Sequence, residues 1–193
     1  MVLLNPEPNP SESGRAEEMK LLKRLQAGDE RAFETLYSRH MPPVYRYALR
    51  MTGSQSDADD VVQELFLALI RNARGYDPER GELRSYLYGL ARRLILRRLP
   101  QEAPVNDDTP EPAVEDDPFE RLDLEQRLEL VRTAVASLPA SYREVVVLCD
   151  LEEMNYADAA ASLGCAVGTV RSRLHRARTM LLSRMERWKC RTA

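Results

Sequence analysis

The chain has 193 residues, of which 44% are hydrophobic and 31% charged, with a formal net charge of −3. That apolar content can fill one medium core or two small ones under a wet surface, and a nearly balanced charge argues against bulk coating of nucleic acid. No window reaches the roughly 18 apolar residues of a membrane span. The opening MVLLNPEPNPSESG lacks the basic start and long apolar stretch of a secretory signal, so a cytoplasmic protein without membrane insertion is expected. Three isolated cysteines (Cys149, Cys165, Cys190) and two histidines (His40, His175) show no metal-ligand spacing, so neither a metal nor a cofactor is expected.

Residues 1–18 read as a disordered tail and residues 19–99 as a first helical domain. In GDERAFETLYSRH, Asp29 can cap a helix whose Phe33, Leu36 and Tyr37 recur at i, i+3 and i+4. Pro42 and Pro43 are expected to break it and to start VYRYALRMTG, which Gly53 closes. In SQSDADDVVQELFLALIRNARG, Ser54 or Ser56 can cap, and Asp57, Asp59 and Asp60 suit the positive end of the helix dipole. Val61, Val62, Leu65, Phe66, Leu69 and Ile70 form its apolar face, with Gly75 as its end. YDPERGE is a loop. LRSYLYGLARRLILRRL is a further helix, with Leu83, Leu87, Leu90, Leu94 and Ile95 toward the core.

Residues 100–118, PQEAPVNDDTPEPAVEDDP, are rich in proline and acid and hold no base. Such a segment buries too little apolar area to offset chain ordering, so it reads as a flexible acidic linker. Residues 119–193 form a second helical domain: a helix up to Pro139, another over SYREVVVLCDLEEM, a short one over NYADAAASLG and a long one from Val167. The fold class is therefore all-α, with two small helical domains and a helix-turn-helix in the second. Asn155 can cap the short helix, and Ala159, Ala160 and Leu163 give it a close-packing face before the turn at Gly164.

The stretch GCAVGTVRSRLHRAR contains four arginines and a histidine but no acid. Val170, Leu174, Ala177 and Leu181 repeat as a buried stripe, which leaves Arg171, Ser172, His175, Arg176 and Arg178 off it. An apolar stripe inward and a polar half outward is how a recognition helix sits in the major groove, where arginine grips guanine or phosphate. Thr169 stands at the helix start, where a phosphate can bind. The alternative is a solvated basic helix in a bundle. A second basic surface runs from Arg84 to Arg98, again without an acid, with Tyr86 and Tyr88 within it and Tyr76 nearby. Arginines beside aromatics can hold and stack single-stranded DNA, although tyrosines at such spacing also serve as half-buried packing.

These motifs resemble a known family. DADDVVQELFLALIRN resembles region 2.2 of bacterial sigma factors. RGYDPERGELRSYLYGLARRLILRRL is similar to regions 2.3 and 2.4, and LPASYREVVVLCDLEEMNYADAAASLGCAVGTVRSRLHRARTMLL to region 4. With no region 3 between them, the whole resembles an extracytoplasmic-function (ECF) sigma factor. The resemblance implies RNA polymerase core (its β′ clamp helices and β flap) and promoter DNA as partners, an anti-sigma factor as regulator, and no enzymatic activity. It places core binding on Asp57, Asp60, Gln63 and Glu64. It places −10 recognition and opening on Tyr76, Arg80, Arg84, Tyr86, Tyr88, Arg92, Arg93 and Arg97, with Tyr86 supporting the separated strand. Thr169, Arg171, Ser172, Arg173, His175, Arg176 and Arg178 would meet the −35 element, and the acidic linker would enter the RNA-exit channel. Arg93 and Arg97 depart from the family's usual asparagine and aspartate, Tyr86 from its frequent tryptophan, and Ala166 from its common proline. The competing assignment is a stand-alone helix-turn-helix regulator.

Overall fold

The computed structural model describes residues 10–99 and 124–192. Among them the regular structure is helical throughout, with no strand. The first half holds α1 (Pro10–Gln26), α2 (Glu30–Thr52), α3 (Gln55–Arg71) and α4 (Leu83–Leu96). The second holds α5 (Leu124–Ala136), α6 (Ala140–Val146), α7 (Tyr156–Leu163) and α8 (Val167–Thr192). The expected linker, 100–118, lies outside the described residues.

Local chemistry sets most helix ends. The Asp29 carboxylate accepts from the N–H groups of Arg31 and Ala32 at 3.0 and 3.3 Å and so caps α2. Arg24 donates to the same carboxylate at 2.8 Å and lowers its pKa. Gly53 closes α2 at φ 70°, its N–H bonded to the Leu49 carbonyl at 2.8 Å. Ser54 then caps α3 through the N–H of Asp57.

Five expectations change. Pro42 and Pro43 do not divide α2, which runs unbroken through both. Each proline removes a helical hydrogen bond, at a cost of about 3 kcal/mol in a helix interior. The buried stripe Leu36, His40, Val44, Tyr47, Ala48 and Met51 nevertheless continues across the pair, and burial on both sides holds one helix. The supposed tail is helical from Pro10; residues 1–9 lie outside the described set. α1 buries Leu21, Leu22 and Leu25 and ties Glu18 to His40 at 3.1 Å, a segment pattern hidden by the polar residues before it. α3 ends at Arg71, where the Asn72 N–H bonds the Ala68 carbonyl, and Gly75 belongs to a separate 3-10 turn, Ala73–Gly75. Ile70, expected on the apolar face, is 47% exposed. The helix expected over SYREVVVLCDLEEM is α6 followed by a π-helical turn, Val147–Leu151, in which the Glu152 N–H reaches back to the Val147 carbonyl at 2.9 Å.

The two halves pack on each other. Leu83, Leu87, Ala91, Leu94 and Ile95 of α4 complete the first core, while Val145, Leu148, Leu163, Val170 and Leu174 fill the second. Both sets belong to one continuous buried cluster. α4 lies against α7 at the join.

Gly53 has open space where a β-carbon would stand, so its only constraint is the left-handed backbone. Gly53→Ala is expected to lower stability by about 1–2 kcal/mol, read from urea unfolding of the full chain.

Candidate nucleic-acid interface

The helix-turn-helix forms as the spacing requires. The Asn155 side chain accepts from the Asp158 N–H at 2.9 Å and starts α7. Gly164 ends it at φ 64°, its N–H directed to the Ala160 and Ala161 carbonyls. α8 then begins at Val167. Val170, Leu174 and Ala177 are buried, and Leu181 is half-buried against them. Arg171, Ser172 and His175 are exposed, and Thr169, Arg173 and Arg176 are half-buried. The Arg171 guanidinium lies 5.8 Å from the Tyr156 ring centre, which holds it beside the turn. Arg178, expected among the DNA contacts, grips Asp150 through Nε at 3.1 Å and Nη2 at 2.6 Å. Its guanidinium is therefore engaged by its own domain, although it remains half exposed.

The basic surface of α4 is arranged differently from the sequence reading. Arg84, Ser85, Tyr88, Gly89 and Arg92 share one helical face, and that face meets the second half. At its centre is Glu152, whose side chain is 1% exposed. Arg46 binds it in a two-point fork, Nε to Oε1 at 3.1 Å and Nη2 to Oε2 at 2.9 Å. Arg50 donates to Oε1, the Tyr88 hydroxyl donates to Oε2 at 3.1 Å, and Arg84 donates to the Glu152 carbonyl. Arg84 also lies 5.5 Å from the Tyr88 ring centre. The Tyr88 ring packs edge-on against Tyr47 at 5.2 Å. Burial pushes its hydroxyl up to about 12.

A second buried carboxylate, Glu144, receives Arg92 Nε at 3.0 Å. Burial still raises its pKa, since desolvation outweighs the single arginine contact and the weaker pull of Arg173. Arg143 donates to the Met51 carbonyl of α2 at 2.7 Å. The Ser162 hydroxyl donates to the Ser85 carbonyl at 3.1 Å. A β-carbon on Gly89 would stand 3.2 Å from the Ser162 carbonyl oxygen, so α4 and α7 touch backbone to backbone. Glu153, next to the clasped acid, is the one described non-glycine residue with positive φ, at 54°. Such a conformation costs an L-residue about 1–2 kcal/mol.

The remaining −10 candidates divide. Tyr76 is buried and donates to the Gly81 carbonyl at 3.0 Å, fixing the loop. Tyr86 is half-buried, 5.8 Å from the Tyr76 ring and against Gly75. The backbone of Arg80 belongs to the 3-10 turn Pro78–Arg80, and its side chain falls outside the described residues. Arg93 is exposed. Arg97 pairs with Glu64 at 3.1 Å, and Arg98 joins the same carboxylate, which lowers the Glu64 pKa. One expected core-binding acid and one expected DNA-binding arginine thus hold each other.

Asp60 and Gln63 are exposed on α3, and Asp57 is half-buried at its start. Between α2 and α3 runs a groove of about 640 Å³, with Gln63 and Asp59 on its wall. Phe33, Tyr37 and Phe66 form its floor, with ring centres 4.7 to 6.2 Å apart, and Leu67 and Ile70 stand exposed at its edge. The helical spacing of Phe33 and Tyr37, at i and i+4, puts both on one face of α2, and in the structure that face lines the groove together with Phe66.

Two family models match the chain: sigma-70 region 2 over residues 36–104 and sigma-70 region 4 over residues 128–181. Among curated relatives, the ECF RNA polymerase sigma factor SigL of Mycobacterium tuberculosis is 34% identical over 156 residues, covering 77% of this chain and 86% of the relative. The chain belongs to the ECF family of RNA polymerase sigma factors. The ECF sigma factor SigE of Mycolicibacterium smegmatis is 37% identical over 164 residues, 80% of this chain; the match spans 63% of that relative's length. A solved structure of CnrH in complex with the cytosolic domain of CnrY matches with a TM-score of 0.66 at 29% identity, covering 88% of this sigma factor and 97% of CnrH. The sigma factor RpoE of Bartonella quintana, solved with the anti-sigma factor NepR, shares the fold at a TM-score of 0.58 and 23% identity, with 77% and 93% covered. Among the described residues of this sigma factor, no helix is long and apolar enough to cross a membrane.

Replacing the Asn155 cap should loosen the short helix on which the helix-turn-helix depends. Asn155→Ala is expected to cost about 1 kcal/mol, seen as a lower unfolding midpoint by circular dichroism.

Proposed function

We propose that this sigma factor binds RNA polymerase core through α3 and the α2–α3 groove, reads the −35 element with α8, and recognises and opens the −10 element with α4 and the loop before it. The observation that carries this reading is the division of α8. Val170, Leu174 and Ala177 are buried, while Arg171, Ser172 and His175 stand outside on an acid-free half-helix after a tight glycine turn. That is the side-chain arrangement of a helix entering the major groove. The region 2 and region 4 matches in one chain favour a polymerase subunit over a stand-alone helix-turn-helix regulator, which has no use for the first.

Residues 19–99 and 119–193 act as the two promoter-reading domains, and the acidic segment 100–118 follows the RNA-exit channel, where its charge replaces that of RNA. The protein works in the cytoplasm, where its polymerase is, and its chemistry is binding and strand separation rather than catalysis. The β flap receives the second domain. Control by an anti-sigma factor is supported by the solved likenesses, CnrH with the cytosolic domain of CnrY and RpoE with NepR.

Arg171→Ala and Arg176→Ala should each weaken holoenzyme binding to an intact −35 promoter by about 1–3 kcal/mol if the arginine grips a base edge. Gel-shift titration on intact and scrambled −35 elements measures it; equal loss on both identifies a phosphate contact. A gel shift of the chain with and without core tests the broader reading, since a stand-alone regulator binds promoter duplex unaided.

Tyr86 is half-buried beside the loop, whereas Tyr88 lies inside the join. Tyr86→Ala should leave closed-complex binding intact and reduce opening, because an aromatic stack contributes roughly 1–3 kcal/mol per base. Permanganate reactivity of the duplex should fall, and run-off transcription from a pre-melted bubble should recover.

A further inference from the structure

The face of α4 assigned to promoter DNA is covered by the protein's own second half. Arg84 and Arg92 are occupied by Glu152 and Glu144, and Tyr88 is sealed beneath them. Arginine forks fit carboxylate and phosphate alike. We propose that Glu152 and Glu144 are internal stand-ins for DNA phosphate, and that they hold the free sigma factor in a closed, self-inhibited state. This rests on the reading of α4 as the −10 surface.

The physical case has three parts. A buried carboxylate is tolerated only when fully paired, and Glu152 takes all its partners from the opposite half: Arg46 and Arg50 from α2, Arg84 and Tyr88 from α4. Its removal therefore weakens the join and leaves each half's own core complete. Next, the guanidiniums at this join that the −10 strand would use are already engaged, Arg92 by the Glu144 carboxylate and Arg84 by the Glu152 carbonyl with the carboxylate 3.8 Å away, so closure and DNA binding compete for the same donors. Finally, opening exposes Arg84, Tyr88 and Arg92 together, because all three lie on one face of one helix. When only a fraction of molecules is open, apparent affinity for the −10 strand falls by that fraction.

The test uses the full chain, with its three cysteines replaced and dyes placed at Glu34→Cys on α2 and Ala161→Cys on α7, both exposed sites. Energy transfer reads the closeness of the halves. Fluorescence anisotropy with a single-stranded oligonucleotide of the −10 sequence reads access to α4. Glu152→Gln is expected to lower transfer and to tighten oligonucleotide binding at least about tenfold, as release from a mostly closed population requires. Tyr88→Phe keeps the ring on Tyr47, removes one hydrogen bond to Glu152, and should move both readings in the same direction by less. That milder variant decides the matter if Glu152→Gln proves poorly folded by circular dichroism. Unchanged transfer in both variants overturns the proposal. So does lower transfer with oligonucleotide affinity equal to wild type, and in that case the −10 reading stands. If the oligonucleotide binds neither wild type nor variants, and fails also with core polymerase present, the −10 reading falls and takes the proposal with it.

Discussion

A carboxylate with almost no exposure to water governs the shape of this molecule. Glu152 cannot stay charged in the interior unless hydrogen-bond donors surround it, and its own domain supplies none of the side chains that do so. Where the two halves meet, they meet with those donors around it. α2 has to turn Arg46 and Arg50 to the same side, one helical turn apart. α4 has to present Arg84 and Tyr88 beside them. The π-helical turn and the left-handed Glu153 stand directly on either side of this acid.

α4 meets this demand with two faces. Leu83, Leu87, Ala91 and Leu94 close the first core, and Arg84, Ser85, Tyr88, Gly89 and Arg92 face the second half. A helix that serves two neighbours leaves little surface for a third. The arginine-rich, acid-free run from 84 to 98 is thus less free than its composition implies. Arg92 reaches Glu144, and Arg97 and Arg98 reach Glu64. Those acids lie far along the chain or on another helix, so a scan for local charge balance does not see them.

The sequence made local structure legible because local structure has local causes. Asp29, Ser54 and Asn155 cap helices, and Gly53 and Gly164 end them, through bonds spanning two to four residues. The pattern of α8 was legible for the same reason: its buried stripe and its charged side both lie within one periodic stretch. What escaped depends on distant partners. Pro42 and Pro43 forbid a helix by local rules, and burial on either side of them overrides those rules. In DLEEM, Glu152 and Glu153 are chemically the same, yet one is buried and the other exposed; arginines about a hundred residues earlier make the difference. Tyr88 enters the −10 set through the family resemblance, which does not say what covers it; its cover comes from the second half.

The contact at Gly89 sets how the join behaves. Side chains can slide, tilt or change rotamer, so an interface built on them yields by degrees. Here the backbone of α4 meets that of α7 at a residue with no side chain, and a single methyl group would already press on the Ser162 carbonyl. Two backbones in contact have one spacing at which they fit. Packed interfaces of this kind change between discrete arrangements rather than stretching. The join therefore has one close-fitting spacing, and Glu152, Glu144 and the Ser162 hydrogen bond all depend on it together.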